Sequence, residues 1–155
     1  MTGRPPMNPL FPTRTDKPST ASRVCWGAGG AFLAAFGVFE MVKHGGGTWV
    51  TGLIGAIGPD LALFLGITAK GLAPRQLSPK AVAAYNATHH WLPPTAVLVW
   101  FTVVPETNVQ AATGFTLGLT WLAHIGIDRA AGYWPRARDG FQRWESAPAA
   151  APQQV

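Results

Sequence analysis

Apolar positions in this chain fall into four long runs separated by short polar stretches. The runs cover residues 24–42, 48–68, 82–104 and 111–131. A helix needs about 20 residues to cross the hydrocarbon core of a bilayer, and all four runs meet that length. The pattern therefore predicts an all-α protein, a bundle of four transmembrane helices in a domain spanning residues 24–135. Residues 1–23 are rich in Pro, Thr, Ser and Arg without periodicity and read as a disordered basic tail. Residues 136–155 read as a C-terminal cytoplasmic tail, and its end, "ESAPAAAPQQV", has the same disordered character. No cleavable leader is expected, because the first run follows a long polar stretch and lacks a small-residue cleavage site.

Composition supports the membrane reading over buried helices of a soluble protein. Hydrophobic residues make up 48% of the chain and charged residues 12%, about half the usual charged share. The lone Cys25 rules out a disulfide framework and a Cys-based zinc motif. The net charge of +5 raises nucleic-acid binding, but the placement of the basic residues explains the charge without it. Arg4, Arg14, Lys17 and Arg23 precede the first run, and Lys70, Arg75 and Lys80 lie between the second and third. Arg129, Arg136, Arg138 and Arg143 follow the fourth, whereas only Lys43 lies in the first loop and the loop around Glu106 has none. With both termini cytoplasmic, eleven of the twelve basic residues face inward, as the positive-inside rule requires. The expected location is the bacterial inner membrane, as a multi-pass protein.

Small residues mark where helices approach. Gly114 and Gly118 form a G-x-x-x-G on the fourth run, and Gly52, Gly55 and Gly58 recur on the second. Packing within the bundle accounts for them; a homo-oligomer contact through Gly114 and Gly118 is the alternative. "HGGG" at His44–Gly47 matches an oxyanion loop, but no G-x-S-x-G accompanies it, so it reads as a short turn.

Ionisable groups inside a bilayer are costly and need partners or a purpose. The candidates are Glu40, Asp60, Asn86, His89, His90, His124 and Asp128. At about 1.5 Å per residue, Asp60 lies about 12 Å from the inner end of its helix. His89 and His124 each lie about 10 Å from theirs. These three share a layer, with Asn86 and Asp128 just below it and Glu40 near the opposite end. His124 and Asp128 share a helix face, as do Tyr85, Asn86 and His89; His90 points elsewhere. Pro93 and Pro94 interrupt the third run and free the carbonyls of His89 and His90; a simple kink is the plainest result.

Two His and two carboxylates suit a divalent transition metal, with Asn86 or water completing the shell and a metal-bound water as nucleophile. Asp128 could instead orient His124. The same residues suit a proton or small-solute path, or a hydrogen-bonded network that only locks helices together. The sequence leaves these three readings open.

"GPDLALFLG" (58–66), "YNATHH" (85–90) and "WLAHIGIDRAAGY" (121–133) resemble the bacterial domain of unknown function 4260, a family of small four-helix membrane proteins. Its pattern maps onto Pro59 and Asp60; Tyr85, Asn86 and His89; then His124, Gly126, Asp128, Arg129, Gly132 and Tyr133. The resemblance implies the fold and singles out Asp60, His89 and His124, with Tyr85, Asn86, Arg129 and Tyr133 as supporting polar residues. It names no reaction. Members usually continue the last motif with Gly and Lys, where this chain has Trp134 and Pro135. Many also carry a Glu near the inner end of the first helix, where this chain has Val24-Cys25-Trp26-Gly27.

Overall fold

A computed structural model describes residues 16–145. The elements are α1 (Thr20–His44), α2 (Gly47–Ile57), a 3-10 segment (Gly58–Gly66), α3 (Pro79–Thr88), α4 (Leu92–Val103) and α5 (Asn108–Ala131). No strand forms among the described residues; an isolated bridge pairs Arg136 with Gln142. The all-α expectation holds, and the four apolar runs map onto four helical stretches, two of them broken. The disorder expected for residues 1–15 and 146–155 lies outside the described residues.

Local chemistry explains where the elements depart from the apolar runs. The first helix starts at Thr20, inside the expected tail, because the Ser19 hydroxyl caps it by accepting from Ser22 N at 3.1 Å. The second stretch leaves α-helical geometry at Gly58, immediately before Pro59. Proline brings no N–H to the preceding turn and crowds its carbonyls, and nine residues of 3-10 helix follow. Such a run is long for this geometry. The third stretch separates into two helices around His89–Trp91, with Pro93 and Pro94 in the first turn of α4. This is a break, sharper than a kink. Gly45 and Gly46 take positive φ (63° and 52°) between α1 and α2, so the "HGGG" stretch forms a turn.

The helix α5 is the axis of the bundle, packed by α1, α2 and α4, while α3 packs on the 3-10 segment. Glycines set the closest approaches. A Cβ on Gly126 would lie 2.7 Å from Gly30 Cα, and one on Gly30 would lie 2.9 Å from Ile127 N. Backbone there meets backbone. Gly114 and Gly118 face Phe101 and Leu98 of α4 in the same chain, so that small-residue face is packed intramolecularly. Gly52 meets Met41 and Gly55 meets α5, but Gly58 is clear of both helices.

The bundle is inverted relative to a soluble domain. Phe32, Val38, Phe39, Ile54, Leu61, Phe64, Trp100 and Val103 point outward, each at least half exposed. Glu40, Thr116, Thr120, His89 and Arg129 are buried. Exposed apolar surface on this scale marks an interaction with apolar surroundings. Two stretches, Thr20–His44 and Gly47–Gly66, are long and apolar enough to cross a membrane. The ends of the bundle differ in charge. Residues 16–23, the 67–78 loop and the 132–145 segment meet at one end, tied by Arg23 Nε to Ala130 O (2.9 Å), Gln76 Nε2 to Asp139 O (2.7 Å) and Leu77 N to Gly140 O (3.0 Å). These are the segments that carry most of the basic residues.

Candidate metal centre

Four side chains converge where α5 passes the 3-10 segment and the end of α3. The Nε2 atoms of His89 and His124 lie 3.2 Å apart. Asp60 Oδ1 is 3.4 Å from His89 Nε2 and 3.6 Å from His124 Nε2. Asp128 Oδ2 is 3.3 Å and 3.7 Å from the same two atoms. All four groups offer a ligand atom within 4.8 Å of every other. Asp128 thus joins the layer formed by Asp60, His89 and His124, because its i,i+4 spacing puts it on the inner face beside His124.

The backbone fixes both rings. His89 Nδ1 lies 2.9 Å from Tyr85 O, and His124 Nδ1 lies 2.8 Å from Ala56 O. A carbonyl only accepts, so each Nδ1 carries a proton, and each ring, when neutral, turns an Nε2 lone pair toward the centre. In that form the site holds two imidazole lone pairs and two carboxylates with no donor among them. Protonating both rings would set two like-charged donors head to head at 3.2 Å. One proton shared between the rings would leave a net negative charge. A divalent cation satisfies all four acceptors at once and neutralises both carboxylates. The spacing fits as well: metal–ligand bonds of 2.0–2.1 Å in a tetrahedron put ligand atoms about 3.3–3.4 Å apart.

Prolines build the frame around these groups. Ala56, whose carbonyl accepts from His124, stands three residues before Pro59, and the Pro59 carbonyl accepts from the Thr88 hydroxyl at 3.1 Å. Pro93 brings no N–H to His89 O, and Arg129 Nη2 donates to that carbonyl at 2.7 Å. Arg129 is 6% exposed, also donates from Nη1 to Tyr133 O at 3.1 Å, and lies over the Trp134 ring at 4.9 Å. A place in the positive-inside count does not describe this residue; it holds the broken end of α3 onto α5. A sequence signal for it existed in the pairing of Pro93 with a free carbonyl at His89, but nothing along the chain pointed to Arg129 as the donor.

The other singled-out residues do other work. Tyr85 is buried and its ring stacks on His89 at 3.9 Å. Asn86 does not enter the cluster: its amide brackets Arg136, donating to its carbonyl (2.9 Å) and accepting from its N–H (2.7 Å). Tyr133 is exposed and contributes backbone alone: its carbonyl accepts from Arg129, and its N–H donates to Asp128 O at 2.8 Å. His90 stays outside, and Glu40 pairs with His44 (3.3 Å) at the far end of α1. Trp121, which the sequence reading passed over, donates to Thr88 O at 2.6 Å and so fixes the residue beside His89.

A family profile, domain of unknown function (DUF4260), matches residues 28–144. The chain belongs to this family. All four clustered residues and their proline frame fall inside the DUF4260 region. No curated protein and no solved structure matches the chain significantly. Trp26 of α1 and Trp134 after α5 pack edge to face at 6.4 Å.

The role of Arg129 is testable. Arg129→Lys keeps the charge but not the planar fork that serves two carbonyls. It should cost about 1.5–3 kcal/mol, the worth of hydrogen bonds to a charged group, read as a lowered thermal midpoint in detergent. An unchanged midpoint would mean that the two contacts are incidental.

Proposed function

We propose that the chain is a multi-pass protein of the bacterial inner membrane that holds a divalent transition metal, best suited to zinc, at its cytoplasm-facing end. The observation that carries the metal reading is the set of four convergent acceptors around His89 Nε2 and His124 Nε2, 3.2 Å apart. The four-span reading, with α3 and α4 as one interrupted span and both termini cytoplasmic, is supported by the outward apolar surface and by the gathering of basic segments at one end. Cysteines introduced at exposed Lys70 and Glu106 in a Cys25→Ser background test it. In intact spheroplasts an impermeant maleimide should label Glu106→Cys and spare Lys70→Cys; the reverse pattern would invert the topology.

A hydrolytic site is the reading favoured for the bound ion, which supplies a water activated for attack at neutral pH. The chain's own residues divide the remaining work. His89 and His124, at 1% and 10% side-chain exposure, are held in register by Tyr85 O and Ala56 O. Asp60, at 47%, forms the open side and is the group able to yield a position to substrate. Asp128 is partly covered and stands beside His124 as ligand or proton acceptor.

A second reading is a non-enzymatic membrane subunit in which the ion is structural. It is favoured by the closure of the shell by four protein groups, as in structural zinc sites. Metal content separates both readings from a purely hydrogen-bonded network. Hydrolytic turnover that is lost in Asp60→Asn while metal remains bound separates the first from the second.

A further inference from the structure

A second site lies at the basic end of the bundle, apart from the His/Asp cluster. A cavity of about 410 Å³ opens there between the segment before α1, the 67–78 loop and the turn after α5. Four cationic side chains, Lys17, Arg23, Arg75 and Arg136, line it against one carboxylate, Glu145. These residues come from three separate stretches of chain, so the cavity is a product of the fold.

Two side chains lining this cavity each carry a polar atom that is covered and has no hydrogen-bond partner: Arg136 Nε, a donor, and Gln142 Oε1, an acceptor. Gln142 is only 3% exposed, and buried polar groups without partners are uncommon enough to require an explanation. Each of these side chains is engaged through another of its atoms. Arg136 Nη1 donates to Arg75 O (3.2 Å), and Gln142 Nε2 donates to Gly132 O (3.0 Å). Each side chain is therefore held in place while a covered polar atom stays without a partner. Arg75 itself sits at φ +67°, a conformation that non-glycine residues adopt rarely. It faces Glu145 at 3.8 Å with its side chain 81% exposed, a weak pairing that an incoming anion can displace. Trp134 and Trp144 complete the wall.

We infer that this cavity binds the phosphate of an anionic phospholipid headgroup, such as that of phosphatidylglycerol. The guanidinium groups supply charge-assisted donors to phosphate oxygens. Four cations against one carboxylate favour a net-anionic headgroup over the zwitterionic choline one. At about 30 Å³ per water-sized group, the volume accommodates the headgroup with water beside it. The tryptophans and the adjoining apolar surface favour the lipid over a soluble glycerol phosphate of the same chemistry. The lipid source rests on the membrane reading above and is independent of the metal reading.

Titration of the full-length protein in detergent with short-chain phosphatidylglycerol, phosphatidylcholine and glycerol 3-phosphate tests this, with thermal midpoint and tryptophan fluorescence as readouts. Phosphatidylglycerol should half-saturate at a concentration about tenfold below that of phosphatidylcholine, the scale of one charge-assisted hydrogen bond. Arg136→Gln and Arg75→Gln should each weaken it by a similar factor with bound metal unchanged. Arg75→Gln alters an exposed side chain and so guards against a misfolded Arg136 variant. Failure of glycerol 3-phosphate to compete assigns the cavity to the lipid, whereas equal competition assigns it to a soluble phosphate. Equal saturation by both lipids, or unchanged affinity in folded forms of both variants, overturns the proposal.

Discussion

Protein purified from cells grown with added zinc is expected to carry one divalent ion per chain, and the His89→Ala/His124→Ala variant less than about a tenth of that. The expectation follows from the ligand set at the cluster: two imidazole Nε2 atoms and two carboxylates converge in one small volume while each Nδ1 is taken by a carbonyl. An ion present at about 100 times its dissociation constant stabilises the fold by about 2.7 kcal/mol. For a chain of this size that corresponds to roughly 5–10 °C in thermal midpoint. Chelation should therefore lower the midpoint of the wild type by that amount and leave the double variant unmoved. Asp60→Asn, at the exposed side of the site, should retain metal more weakly than wild type. Purified wild type without stoichiometric metal, or equal metal in the double variant, would remove the metal reading and leave the hydrogen-bonded network.

The second large effect is expected at the crossing of α1 and α5. Gly30→Ala should lower the thermal midpoint by about 3–10 °C, corresponding to about 1–3 kcal/mol of overpacking. The added methyl would meet Ile127 N at 2.9 Å and Gly126 C at 3.0 Å, both backbone atoms that no rotamer change can move. Gly29→Ala, one residue earlier on the same helix, meets nothing within 4 Å. It should be neutral or stabilising, because alanine is favoured over glycine in a helix by up to about 1 kcal/mol. Similar midpoints for the two variants would show that the helices are not in backbone contact. The pair isolates close approach from helix propensity, since position and chemistry are otherwise matched.

The proline frame links these effects to the site. Pro59 and Pro93 each stand just after a carbonyl that α5 supplies with a side-chain donor, His124 for Ala56 and Arg129 for His89. Both contacts need α5 close to its neighbours, and Gly30 and Gly126 set that approach for α1. Loosening the α1 crossing should therefore reduce metal retention as well as stability.

Much of this was legible along the chain. The four apolar runs gave the helical stretches, since burial periodicity and length are local properties. A depth estimate at the α-helical rise puts Asp60, His89 and His124 in one layer, and the three do converge even though Asp60 lies in a 3-10 segment and His89 at a helix break. Distribution of Lys and Arg identified the basic end. Other features depend on which elements meet, and no local pattern encodes that. Asn86 was grouped with His89 by its spacing, yet its amide is used by Arg136, fifty residues away. Arg129 belonged by sequence to the positive-inside residues, and only the break at His89 gave it a buried carbonyl to serve. Gly30 and Gly126 were not singled out for packing, because a close crossing is a property of two helices together. The residue types that make the chain helical and apolar were thus determined by the sequence alone. The convergence of four acceptors, and the donors that hold them, was decided by tertiary packing, which alone brings a histidine ring within hydrogen-bond reach of a carbonyl sixty-eight residues distant.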